Sequence, residues 1–317
     1  MKLQTIVDMP ASEWKIGYED RILMLGSCFS DEIGGQMEQR NMRVVCNPFG
    51  TLYNPLSIAQ AINMKSEIIN DTMPLVEYDG MWHSMSHHGS FSRPTREEAE
   101  SAVRASIEDM QRALDESSVI IVTFGTAWVY EMCLTAEGGL TAERSYSDNG
   151  LTGEAGHIVV ANCHKLPENR FTRRRLSVDE IVAAWRPILD RYPDKHWLFT
   201  VSPIRHIRDG LHENQLSKAT LLQAIDRLTA EGDLTAQRSH SKAVSQAKPV
   251  YFEAFEILLD ELRDYRFYAD DLVHPSSLAV NYIWERFVDT FCTPSTRNEL
   301  ILRHKRWKHD HHIPLHG

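Results

Sequence analysis

The sequence predicts an α/β protein built on a doubly wound parallel sheet, and three observations lead there. Short apolar runs with the length and character of buried strands recur along the 317 residues. Amphipathic helical stretches separate them, the alternation expected of a parallel sheet. Small or polar residues follow four of the runs at once: Gly26-Ser27, Asn47-Pro48, Gly125-Thr126 and Ser202-Pro203. That edge of a parallel α/β sheet is where ligands bind.

The elements follow in order. Strands are expected at 22–25, 42–46, 119–124, 197–201 and 250–252. Helices are expected at 30–40, 55–65, 95–114, 177–191, 214–231 and 276–291. The first helix is read as starting near Ser30, because Asp31 and Glu32 then fall in its first turn; Ser30 is its better cap, which leaves Ser27 unexplained. The helix at 177 opens with Ser177-Val-Asp-Glu180, a capping box. The helix at 214 carries Leu216, Leu222, Ile225 and Leu228 near one face, and Pro275 stands at or just before the first turn of the last. Two stretches interrupt the alternation. Residues 71–94 are irregular and rich in His, Ser and aromatics, and residues 131–176 hold glycine pairs, an Arg run and one short apolar run ending at Ala161. Loops of that length are usually functional excursions over a site. One elaborated domain spans 1–317, with a core at about 20–292 and a basic, His-rich tail at 293–317 that reads as a frayed terminus.

Composition narrows the function classes. A net charge of −10 argues against a general nucleic-acid binder. No apolar run approaches the ~18–20 residues that span a bilayer, and the N-terminus lacks the apolar core of a secretory signal. The expectation is a cytoplasmic protein with neither membrane nor nucleic-acid partner. Five cysteines, odd in number and without a CxxC pair, fit reduced thiols rather than a disulfide framework or zinc site.

Ser27 sits where a strand gives way to a helix, so amides at the helix start are available to a developing oxyanion. Helix capping by Ser27 or Ser30 is the rival reading, and Cys28 is a rival nucleophile whose likelier role is a small buried apolar one. Asp271 and His274, three apart ahead of the last helix, have the spacing for a carboxylate to fix an imidazole tautomer. Gly50, in "NPFGTLYNP", lets backbone approach a ligand closely, and an ordinary turn explains it equally.

These residues carry a resemblance to the GSCFA family, whose motif is matched by Gly26-Ser27-Cys28-Phe29-Ser30, with Ser in the place of the final Ala. "NPFGTLYNP", "TFGTAWVY", "VANCHKLP", "SPIRH" with "DGLHENQLSKA", and "ELRDYRFYADDLVHPS" also resemble that family. The family in turn is similar to the SGNH/GDSL hydrolases. That resemblance implies a flavodoxin-like three-layer sheet and acyl transfer by a triad: Ser27 as nucleophile, His274 as base and Asp271 as its orienting acid. Gly50 matches the oxyanion-hole glycine. The third strand of that superfamily often ends in Gly-x-Asn-Asp; here Gly125 fits, but Ala127 and Trp128 stand at the Asn and Asp positions. The missing donor would come from Asn162, Thr126 or Asn47. The implied substrate is a small acyl ester, such as one on an O-acetylated glycan, handled without metal or cofactor by a hydrolase or an O-acyltransferase.

Two rivals stand beside this reading. His83, His87 and His88, with Cys163 and His164, form a candidate metal site. A non-catalytic module is the other, with His164, Arg205, His206 and Lys218 binding a polar or anionic ligand, and the run 173–175 either joining them or forming a solvated face.

Overall fold

A computed structural model describes residues 4–9, 12–65, 75–133, 157–230 and 247–311. The glycine pairs of the long excursion, the start of the irregular stretch and the last residues of the tail lie outside the described residues. From the N-terminus the chain runs through β1 (Arg21–Gly26), α1 (Cys28–Glu38), β2 (Arg43–Cys46), α2 (Pro55–Asn63), β3 (Leu75–Tyr78), β4 (Met81–Ser84) and α3 (Arg96–Glu116). It continues with β5 (Val119–Phe124), β6 (Trp128–Cys133), β7 (His157–Val160), β8 (Phe171–Arg175), α4 (Val178–Arg191) and β9 (His196–Val201). The last elements are α5 (Leu211–Ala230), β10 (Val250–Phe252), α6 (Ser277–Phe291) and α7 (Pro294–Asp310).

Five strands form one sheet in the order β10-β9-β5-β1-β2, every pair parallel. Neighbouring β1 and β5 are aligned so that Gly26 stands opposite Thr123. From β1 the chain goes outward to β2 and later returns to β5 on the other side, so the strand order reverses at the end of β1. In open α/β sheets that crevice is the ligand site.

Side-chain alternation builds the layers. Leu23, Leu25, Ile120, Val122, Trp197 and Phe199 pack against α2, α3, α4 and α5. Ile22, Met24, Val119, Ile121 and Leu198 pack on the opposite face, against α1, a short helical segment at 254–262 and α6. All six residues of β5 are buried. Both faces of the central strands are covered, so those strands read as continuous apolar runs. The expected three-layer class and all five expected parallel strands are present.

Four expectations need correction. The stretch 71–94 is not all irregular: β3 and β4 pair as a hairpin across Asp79-Gly80, whose φ values of 51° and 70° fit the primed turns that Asp-Gly favours. The excursion 131–176 holds a three-stranded antiparallel sheet, β7-β6-β8, that leaves β5 almost at once. Its Arg run faces solvent at Arg173 and Arg175, as a charge run does, but is not an open anion site, because all three side chains are paired. Arg173 lies 4.0 Å over the Trp128 ring and pairs with Asp209, Arg174 pairs with Glu131 and Glu180, and Arg175 pairs with Glu213. The tail is helical through Asp310: Thr293 caps α7, Pro294 occupies its first turn, and Leu300 is buried in the core beneath α6.

Candidate functional site

The site is built outward from Gly26. Its φ is +134°, and a Cβ there would lie 2.1 Å from the Thr123 carbonyl oxygen, so only glycine makes the turn off β1. The Gly26 amide donates to Asn47 Oδ1 at 2.8 Å, and its carbonyl accepts from the Leu52 amide at 3.0 Å. Ser27 follows as the N-cap of α1, its Oγ accepting from the Phe29 amide at 3.4 Å. The helix therefore starts at Cys28, not near Ser30. Ser30 lies within the first turn and turns its hydroxyl to the Leu25 carbonyl and to Thr123 Oγ1. Ser27 is 1% exposed, and two first-turn amides of α1 are already engaged by it: Phe29 donates to its Oγ at 3.4 Å and Ser30 to its carbonyl at 2.8 Å.

The loop after β2 forms one wall. Asn47, at φ 47°, spends its side chain as a brace: Oδ1 holds Gly26, and Nδ2 donates to Asp31 Oδ1 at 2.7 Å. Thr51 donates to the other oxygen of Asp31. The Gly50 amide closes this loop on the Asn47 carbonyl at 2.7 Å. Gly50 has φ +72°, and a Cβ there would meet His88 Cβ at 2.4 Å. Tyr53 joins two walls. Its carbonyl accepts from the Gly125 and Thr126 amides, and its hydroxyl lies 3.3 Å from Cys28 Sγ. Cys28 is thus in contact with a hydroxyl and only partly buried.

The exits of β5 and β9 form the opposite wall and are held from above by α5. Gly125 lies against Ser27: a Cβ on it would stand 3.3 Å from Ser27 Cβ. Three buried polar residues on one stripe of α5 reach the loop backbones. Asn214 Oδ1 accepts from the His206 amide at 2.9 Å. Ser217 Oγ accepts from the Ala127 amide at 2.7 Å and bonds Thr126 Oγ1 at 3.1 Å. Lys218 Nζ donates to the Gly125 and Ser202 carbonyls, both at 2.7 Å. The Thr126 hydroxyl also accepts from the Trp128 amide, so it serves the loop. His206 stands beside the Gly125 carbonyl and meets the Tyr53 ring edge-on at 6.1 Å. Burial, then the charges of Lys218 and His274, push it down to about 3, and its buried Nε2 has no hydrogen-bond partner.

The acid–histidine pair comes from the loop before α6. Asp271 Oδ1 accepts from the Val273 and His274 amides at 2.9 and 3.0 Å, and Oδ2 lies 2.6 Å from His274 Nδ1. Hydrogen bonds from the His274 backbone and ring, then from Val273, hold Asp271 down at about 2. An ionised carboxylate only accepts, so Nδ1 carries the proton and Nε2 is left with a lone pair. Arg205 ties this loop to the β9 exit: its amide donates to the Val273 carbonyl and its guanidinium to the Leu272 carbonyl. No hydrogen bond joins Ser27 Oγ to His274 among the described residues.

Asn162 and His164 stand elsewhere. The His164 amide donates to Asn162 Oδ1 and its Nε2 donates to the Ser84 carbonyl. Both residues, with His83 and Gly89, line a cavity of about 400 Å³. His87 is fully buried, bridging Ser84 and Ser106 while stacking on Phe49 at 4.2 Å. Among the described residues no three His, Cys, Asp or Glu side chains converge as metal ligands.

Ser27, Asn47, Gly50, Thr126, Arg205, His206, Asp271 and His274 therefore gather along one sheet edge and its adjoining loops, while Asn162 and His164 stand one step further out, against Gly89, whose neighbour His88 touches Gly50. Sequence reasoning missed Asp31, Tyr53, Asn214 and Ser217. A signal existed for the last two: Asn214 and Ser217 continue the stripe Leu221, Ala224, Leu228 at helical spacing, which marks them as polar residues on a buried face. Neither curated proteins nor solved structures yield a match. The model of the GSCFA family matches residues 21–287. That span takes in every strand described above, and the chain belongs to the GSCFA family.

Proposed function

We propose that the protein is a serine-dependent acyl-ester hydrolase. The observation that carries this reading is the Asp271–His274 pair at 2.6 Å, with its tautomer fixed, on a loop that Arg205 ties to the β9 exit. Next to Arg205 is His206, beside Gly125, which abuts Ser27. In this mechanism His274 Nε2 takes the Ser27 proton as Oγ attacks the ester carbonyl, and Asp271 stabilises the imidazolium. His274 then protonates the departing alcohol, and water or another hydroxyl takes the acyl group from Ser27. The Cys28 amide, at the positive end of the α1 dipole, supplies a donor for the oxyanion, joined by the Phe29 amide once Ser27 Oγ has moved onto the carbonyl carbon. Ser27 and His274 come within hydrogen-bond reach only with substrate bound, as is common for catalytic pairs. A small acyl ester, such as an O-acetyl group on a glycan, is the proposed substrate class.

One observation favours a second reading, a ligand-binding module without catalysis. The Gly50 amide is used within its own loop and Ser27 is buried, so two features expected of an open oxyanion hole are absent from this state. Labelling with a fluorophosphonate probe, with the adduct mapped, separates the two. Hydrolysis predicts an adduct on Ser27 that is lost in Ser27→Ala and His274→Ala. An unlabelled, folded wild type would sink the hydrolase reading.

A further inference from the structure

Lys218 is the buried group that the proposed mechanism leaves without a task. It is 1% exposed, and no carboxylate lies within ion-pair distance of its Nζ among the described residues. The nearest acid to act on it, Asp209, is paired with Arg173. A buried amine without a partner acid is an expensive choice for a purely structural position. Ser217, one residue earlier, holds the next stretch of the same loop with a neutral hydroxyl. What lysine adds is reach and charge. From one helix it spans the ends of two adjacent parallel strands, β5 at Gly125 and β9 at Ser202.

We propose that Lys218 is a positioning residue for the Ser27 site: it ties the Gly125 and Ser202 strand ends together and so sets where His206 stands relative to Ser27. The link to Ser27 is steric, through Gly125: a methyl group on its Cα would stand a tight 3.3 Å from Ser27 Cβ and 3.0 Å from the Tyr53 carbonyl oxygen. The link to His206 is double. Ser202 begins the loop that carries it, and the Gly125 carbonyl that Lys218 grips is the one beside the imidazole. The groups facing His206 are Lys218 from α5, His274 from the loop before α6, Tyr53 and the Gly125 carbonyl. Asn214, also from α5, holds its amide. Burial pushes Lys218 down to about 7, so it is charged at any pH where His206 could take a proton, and with burial its charge keeps His206 neutral. The site thus holds, beside the Asp271–His274 pair, an imidazole that stays a neutral hydrogen-bonding group with an unused Nε2.

This assignment deepens the acyl-transfer reading and rests on it for the role of Ser27, but its first readout does not. The imidazole resonances are followed by NMR against pH in wild type, Lys218→Met and Lys218→Gln, with His206 identified by its loss in His206→Gln. Removing the adjacent cation moves the His206 titration upward by about one pH unit or more in both variants. The second readout is the rate of fluorophosphonate labelling. Lys218→Met, which keeps volume and loses both donors, labels at least about tenfold more slowly, and Lys218→Gln, which keeps a donor, regains part of that loss. An unmoved His206 titration in a folded Lys218→Gln protein overturns the assignment, whether or not Lys218→Met folds. If wild type titrates as described but never labels, the hydrolase reading fails and the NMR result alone decides on Lys218.

Discussion

At the scale of the residue, the site depends on how many hydrogen bonds each group has already spent. Asn47, Thr126 and Gly50 were legible from sequence as polar or small residues at strand ends. Their bonds to Asp31, Ser217 and Asn47 depend on partners 16, 91 and 3 residues away, and nothing local to Asn47 or Thr126 names the two distant ones. Asp271 and His274 were legible because their bond closes within four residues. That locality yields a sharp prediction. In Asp271→Asn the side-chain oxygen still accepts from the Val273 and His274 amides, but the amide nitrogen no longer accepts from His274 Nδ1–H. The imidazole turns to its other tautomer and loses its basic Nε2. Labelling at Ser27 is expected to fall by about 10²–10⁴ with the thermal midpoint nearly unchanged, since the pair is half exposed. A variant that labels within a few-fold of wild type would remove Asp271 from the mechanism.

At the scale of the element, local signals located the parallel core and failed in the excursions. Each central strand is an unbroken apolar run because both faces are covered, so its length alone revealed it. β6 and β8 alternate or carry charge, as in Phe171–Arg175, and their cross-strand partners lie beyond a long insertion; nothing nearby in sequence declares the pairing. The Asp79-Gly80 turn was a hairpin signal passed over because its flanking strands have only four residues each. α7 was obscured by its composition: a helix with only Thr296 and Leu300 buried looks like a solvated tail. The capping box of α4 was read in full from four letters, and both of its reciprocal bonds are present. Ser177→Ala should therefore cost about 1 kcal/mol, lowering the thermal midpoint by roughly 2–4 °C. An unchanged midpoint would mean that tertiary packing alone sets the start of α4.

At the scale of the whole molecule, three buried imidazoles decide how stability responds to acid. Burial, and for His87 the nearby His164, pushes His87 down to about 3. Burial pushes His164 down to about 4, and burial with the Lys218 charge takes His206 to about 3. In the unfolded chain each would titrate near 6.5. Between those limits the unfolded state binds more protons than the folded one, so stability falls as pH falls. Glu253 works the other way: burial raises it to about 7, and it holds a proton in the fold that the unfolded chain releases above about 4.5. Glu256 and Asp209 are raised in the same sense. These acids temper the loss between pH 6.5 and 4.5. Below 4.5 Glu253 is protonated in both states, and the imidazoles act with little opposition until about pH 3. The urea midpoint should therefore decline on acidification from pH 6.5, most steeply below 4.5 and well before Asp271 titrates. A midpoint that holds level or rises down to pH 4 would mean that the buried histidines take up protons in the folded state, which the packed bridge Ser84–His87–Ser106 leaves no room to solvate.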